Sequence, residues 1–137
     1  MRLWPVALIV GIFGASSAYT QEKSTLDGVY NRQQWLRGQD LYAGMCKNCH
    51  TPESHAGVNF NTTWKGRTLA DLYTYIRGSM PKTDPGSMSP QEYADVLAYL
   101  LRLNRMPTGP EELPTDSTTL STIRFTAAPR TQTGEPR

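Results

Sequence analysis

Cysteine is nearly missing from this chain: 137 residues contain two, Cys46 and Cys49, three positions apart. A pair that close cannot tie distant segments together, which excludes the disulfide scaffold on which many small exported domains depend. An excess of charge of one sign is missing too. There are 14 basic and 12 acidic residues, so the chain lacks the basic footprint of a nucleic-acid binder, and no such partner is expected. Only two histidines occur, His50 and His55, which confines imidazole chemistry to one short stretch. The apolar share, 38%, is below the globular average and implies a modest core with some sequence outside it. The length allows one small domain with extensions, and a domain of that size gains from an added staple.

The N-terminal apolar stretch is too short to cross a bilayer. As a helix at about 1.5 Å per residue, residues 3–14 would reach about 18 Å, against a hydrocarbon core of about 30 Å. Arg2 precedes the stretch, and Ser16, Ser17 and Ala18 follow it with the small side chains of a cleavage site. Residues 1–18 therefore read as a signal peptide cut after Ala18, which predicts export to the periplasm and no stable membrane insertion afterwards. Cleavage removes one charge, Arg2, and leaves 13 basic against 12 acidic residues.

Residues 19–31 are polar, with a turn at Asp27-Gly28, and read as a flexible segment. From about residue 33 to 45, Gln34, Gly38, Leu41, Tyr42 and Met45 recur at helical spacing, so a helix runs directly into Cys46. Turn formers crowd residues 51–67, which predicts a loop. Thr68 fits an N-cap with Asp71 three residues on, and Leu69, Leu72, Tyr73 and Ile76 continue a helix until Gly78. Residues 79–89 contain Pro81, Pro85 and Gly86 and read as irregular. Ser89-Pro90-Gln91-Glu92 then opens a third helix, which runs to about Asn104 with Pro107 beyond it. Residues 32–106 form the expected domain. The Pro- and Thr-rich residues 107–137 read as a largely irregular tail, dispensable for the domain, although Leu113, Leu120, Ile123 and Phe125 could dock on it.

The chemistry lies in Cys46-Lys47-Asn48-Cys49-His50, the C-x-x-C-H signature of covalent haem attachment. Two thiols can add across the haem vinyl groups, and the adjoining His50 is then held beneath the iron as proximal ligand. A redox dithiol would place its first cysteine at a helix N-terminus, where the dipole favours a thiolate; here the cysteines follow a helix C-terminus. A zinc site would need four ligands, which Cys46, Cys49, His50 and His55 could supply only through a tight loop. The candidates for a sixth iron ligand are Met80, Met88 and His55. Met80 stands at a helix exit before Pro81, where a flexible thioether can reach inward, whereas Met88 in its Gly-Ser turn is expected to face solvent. Met45 and Met106 read as core, and His55 as a solvated or locally hydrogen-bonded histidine.

With Gly38 and Tyr42 before the C-x-x-C-H motif, Met80-Pro81, and Ala98-Tyr99-Leu100 on the last helix, residues 30–104 resemble a class I c-type cytochrome domain. The likeness is to those found beside bacterial quinoprotein dehydrogenases. It implies an all-α, small cytochrome c fold: three main helices around one covalently bound haem, with crossed N- and C-terminal helices. In that arrangement Gly38 and Tyr42 meet Val96 and Tyr99. The resemblance also implies haem c, with its iron between His50 and Met80, and an indole near a haem propionate, which points to Trp64; Trp64 reads equally well as core, and the nearby Arg67 could pair with a propionate or be solvated. Two departures are visible. Thr51 replaces the common glycine after the motif histidine, and the proline whose carbonyl usually orients that histidine is not recognisable.

Iron held on both sides leaves no open site for oxygen or peroxide. The expected function is thus that of a one-electron carrier and not an enzyme, working as a monomer between redox partner proteins: a dehydrogenase such as a quinoprotein, a terminal oxidase or another cytochrome. The alternative is a small-ligand sensor or haem peroxidase with a labile distal ligand.

Overall fold

The computed structural model describes residues 22–129. The expected signal peptide lies outside the described residues. The chain order is β1 (Lys23–Ser24), α1 (Arg32–Leu41), α2 (Gly57–Trp64), α3 (Leu69–Ser79), α4 (Pro90–Leu103), α5 (Ser117–Leu120) and β2 (Ile123–Arg124). A π-turn, Tyr42–Cys46, follows α1, and a single 3₁₀ turn, Pro52–His55, precedes α2. The protein is thus all-α apart from one short strand pair, as the sequence led us to expect.

Helix starts are set by short side chains. Asn31 caps α1 by accepting from the Gln34 N–H at 2.9 Å. Both expected capping boxes are present: Thr68 with Asp71 on α3, and Ser89 with Glu92 on α4. Each satisfies amides that a helix N-terminus otherwise leaves without partners. Helix α4 is the central element, with nine consecutive residues, Tyr93 to Leu101, buried. A helix buried nearly all round sits inside a core and does not lie upon one.

Helix α1 crosses α4 at Gly38, where an added Cβ would lie 1.8 Å from the Asp95 carbonyl oxygen and 3.0 Å from the Tyr99 Cβ. Arg37, one residue earlier, locks the crossing with a two-pronged bond to the buried Asp95 carboxylate, Nε at 2.8 Å and Nη2 at 2.9 Å. The crossed N- and C-terminal helices are therefore present. The backbone of Asp95 forms the contact with Gly38 that the resemblance assigned to Val96.

Three expectations need correction. Residues 51–67 are not one loop, since they hold a 3₁₀ turn and α2. Turn-forming side chains here bond back along the helix, Asn61 Nδ2 to the Gly57 carbonyl at 2.8 Å and Thr63 Oγ1 to the Asn59 carbonyl at 2.9 Å. Phe60 and Trp64, four apart, supply its buried face.

Met45 is not core: 42% of it is exposed. The cause is the π-turn, in which the Lys47 N–H bonds to the Tyr42 carbonyl at 2.9 Å and inserts one residue into the helical repeat. Met45 rotates away from the face shared by Gly38 and Tyr42, and Cys46 packs against the core instead.

The flanking segments are not loose. Tyr30 is fully buried and its hydroxyl donates to the Met106 carbonyl at 2.6 Å. Strand β1 pairs in parallel with β2, Lys23 opposite Ile123. Gln34 exchanges two hydrogen bonds with the Leu113 backbone, at 2.7 and 3.2 Å. Leu113, Leu120, Ile123 and Phe125 are all buried. Residues 107–129 are irregular for most of their length, yet they wrap the domain as a strap. Four apolar side chains spaced along an irregular segment carry no period, which is why the sequence offers their docking only as an option and the tail reads as dispensable.

Candidate functional site

The site is built at the C-terminal end of the α1 and π-turn segment. After Cys46 the chain closes one tight turn: the Cys46 carbonyl accepts from the Cys49 N–H at 3.1 Å and from the His50 N–H at 2.9 Å. Cys46, Cys49 and His50 thus leave a single turn whose stem is clamped to α4 through Gly38. Neither cysteine is in a disulfide; Cys46 is half-buried and Cys49 exposed. Burial pushes the Cys46 thiol above its ordinary pKa. This is the reverse of the low-pKa thiolate that a redox dithiol needs. Among the described residues no three of His, Cys, Asp and Glu gather into a set that could hold a metal ion. The four-ligand zinc alternative therefore has no geometric support.

Two free thiols and an imidazole on one turn form a donor set that fits haem c. Cys46 and Cys49 would hold the macrocycle and His50 its iron.

His55 turns out to be a locally hydrogen-bonded histidine. Its Nδ1 lies 2.9 Å from the Tyr42 hydroxyl and 3.4 Å from Ser54 Oγ, and its ring stands edge-on to that of His50 with centroids 4.7 Å apart. Burial, and then the neighbouring His50, hold its pKa below the usual imidazole value. Burial pushes the Tyr42 hydroxyl up to about 12. Tyr42 in turn packs against Tyr99 of α4, ring centroids 5.2 Å apart, which completes the second half of the expected helix contact.

Met80 lies on the other side of α3 in sequence. It caps that helix with its N–H on the Ile76 carbonyl at 2.8 Å, and its own carbonyl accepts from the Tyr93 hydroxyl at 2.7 Å. The Met80–Pro81 peptide is cis. The Met80 side chain is half-buried, and no hydrogen bond links it to the cysteine turn. Met88 corrects an expectation: it is 9% exposed and belongs to the core. The Tyr93 hydroxyl accepts from the Gly86 N–H at 3.0 Å, which draws the end of this loop over α4.

Trp64 and Arg67 are brought together. The Arg67 guanidinium stands 5.1 Å above the Trp64 ring, and Trp64, 7% exposed, packs on Phe60 and on the exposed Tyr75. The Tyr42–His55 pair is what sequence reasoning missed. Thirteen residues separate them, and no periodic signal spans a turn, a loop and a 3₁₀ turn.

A family model described as cytochrome c oxidase, cbb3-type, subunit III, matches residues 33–100. This stretch, from the first turn of α1 to the last turn of α4, is a class I c-type cytochrome domain. A domain of this kind implies haem c and electron transfer and suggests redox partners, in a family whose members generally carry electrons and are not enzymes. No curated protein and no solved structure matches the chain. Among the described residues no helix is long and apolar enough to cross a membrane.

Proposed function

We propose that this chain is an exported, periplasmic, single-haem cytochrome that carries one electron at a time with its iron held between His50 and Met80. The observation that carries the reading is the turn at Cys46, Cys49 and His50, fixed to α4 where Gly38 meets Asp95. Bound haem supplies the one-electron couple. The protein's own residues hold and shield it. A single turn clamped at its stem carries both thiols and the imidazole, and α2 and α3 follow it in the chain before Met80. A thioether partner for histidine raises the potential relative to two histidines and suits a carrier on the oxidising side of a respiratory chain. Trp64, with Arg67 over its face, is the pair we assign to the propionate side, where an indole N–H and a guanidinium can both donate to a carboxylate.

The partners are redox proteins met briefly: a dehydrogenase such as a quinoprotein on the donor side, and an oxidase or another cytochrome on the acceptor side. The matched family's description, an oxidase subunit, supports an oxidase as acceptor.

Two methionine variants test the ligation. Met80→Ala is expected to lose the ferric band at the red end of the spectrum that marks sulfur on iron, and to admit carbon monoxide rapidly. Met88→Ala should keep the band and lose only folding stability, because Met88 is a core side chain. If Met88→Ala loses the band and Met80→Ala retains it, the ligand is Met88.

A further inference from the structure

His50 has a requirement that the chain must meet. A histidine that binds a metal through one ring nitrogen almost always gives the N–H of the other to an acceptor, which fixes the ring plane and raises its donor strength. Among the described residues the His50 ring makes no hydrogen bond, to a backbone carbonyl or to any side chain. The ring that stands against it is His55, centroids 4.7 Å apart and planes at 60°.

His55 is held firmly. Its carbonyl accepts from Asn104 Nδ2 at 2.8 Å, and Asn104 Oδ1 takes the Gly57 N–H at 3.1 Å, so a buried side chain of the α4 C-terminus anchors the turn. Phe60 stands edge-on to it from α2, at 6.3 Å.

The protons around its Nδ1 can be counted. Two hydroxyls, Tyr42 and Ser54, lie beside Nδ1, and both also reach the Thr51 carbonyl, at 3.1 and 2.6 Å. A carbonyl has two lone pairs and each hydroxyl one proton. If both hydroxyls donate to Thr51, as their geometry toward its carbonyl permits, their oxygens face His55 as acceptors and Nδ1 carries the hydrogen. The other nitrogen of a neutral imidazole is then bare.

We propose that His55 is the positioning residue of the proximal histidine: Tyr42, Ser54 and Thr51 hold it as the Nδ1–H tautomer, and its Nε2 accepts the ring N–H of His50. This rests on the haem reading above. The role differs from the iron ligation considered for His55 in the sequence, because here the residue acts through His50. It also gives the π-turn a purpose, since the extra residue sets Tyr42 at the start of the turn that ends in Cys46.

The test uses the haem-loaded, reduced protein with 15N-labelled histidine, which gives only two ring systems because the chain has two histidines. We expect His55 protonated on Nδ1 and bare on Nε2, and a His50 ring N–H that exchanges slowly with water. We also expect His55→Leu to raise the reduction potential, because a weaker donor favours the ferrous iron. A tenfold change in the ferric/ferrous balance would appear as about 59 mV for one electron. His55→Gln, which keeps an acceptor oxygen, should fall back toward the native value, and Tyr42→Phe should move part of the way up. A His55 proton on Nε2 in the native protein overturns the proposal, as does an unshifted potential in haem-loaded His55→Leu. If His55→Leu fails to load haem, the tautomer measured on the native protein decides. A native chain that takes up no haem contradicts the carrier reading instead.

Discussion

Gly38 and Asp95 touch backbone to backbone: a methyl group placed on Gly38 would lie 1.8 Å from the Asp95 carbonyl oxygen. The cysteine turn continues α1, so this contact, together with the Arg37–Asp95 pair and the packing of Tyr42 on Tyr99, fixes its stem against α4.

Gly38→Ala should therefore force α1 off α4. Overpacking against backbone, which cannot rotate aside as a side chain can, should cost about 3 kcal/mol in urea unfolding. Gly44→Ala is the control: no atom lies within 4 Å of its added Cβ, so it should be neutral or slightly stabilising. Equal effects at the two positions would mean that the helices do not cross as described.

The strap gives a second prediction. Phe125 is 1% exposed and stands edge-on to Phe60, ring centroids 6.0 Å apart. Phe125→Ala should lower stability by about 3 kcal/mol through lost burial and the cavity left behind. Truncation after Met106 removes Leu113, Leu120, Ile123 and Phe125 together and should sharply reduce the yield of folded protein. A truncated chain as stable as the native one would show that the strap is not structural.

The local signals in the sequence were readable because each acts over a few residues. Ser89-Pro90-Gln91-Glu92 and Thr68 with Asp71 mark helix starts through one side chain and one amide, and Cys46 to His50 carries its chemistry within five positions. Gly38 was readable as a close-contact residue only through the family resemblance. What stayed hidden depends on distant partners. Helix α2 was masked by asparagines and threonines that bond backward once Phe60 and Trp64 have a core to face. Met88 is buried because Tyr93 gathers the loop around Gly86, and the strap is fixed by Gln34, some 79 residues from Leu113.

Acid should weaken the helix starts. Asp71, Glu92 and Asp116 are each held below the usual carboxylate range, first by the backbone N–H groups they cap and then by side-chain bonds to the same turns. A carboxylate depressed in the folded state contributes its stability above its unfolded pKa, about 4, and loses it as pH falls through the lower folded value. The urea midpoint should therefore fall below about pH 4, and Asp71→Asn with Glu92→Gln should flatten that fall. Native-like acid sensitivity in the double variant would place the cause elsewhere.

Covalent haem is the central claim, and the mass of the denatured native protein tests it most directly. The polypeptide should carry the added mass of one haem that survives unfolding and acid, because Cys46 and Cys49 hold it by thioether bonds. Replacing both cysteines with serine should remove that mass. A native chain whose mass shows two free thiols, or a disulfide between Cys46 and Cys49, would contradict the reading.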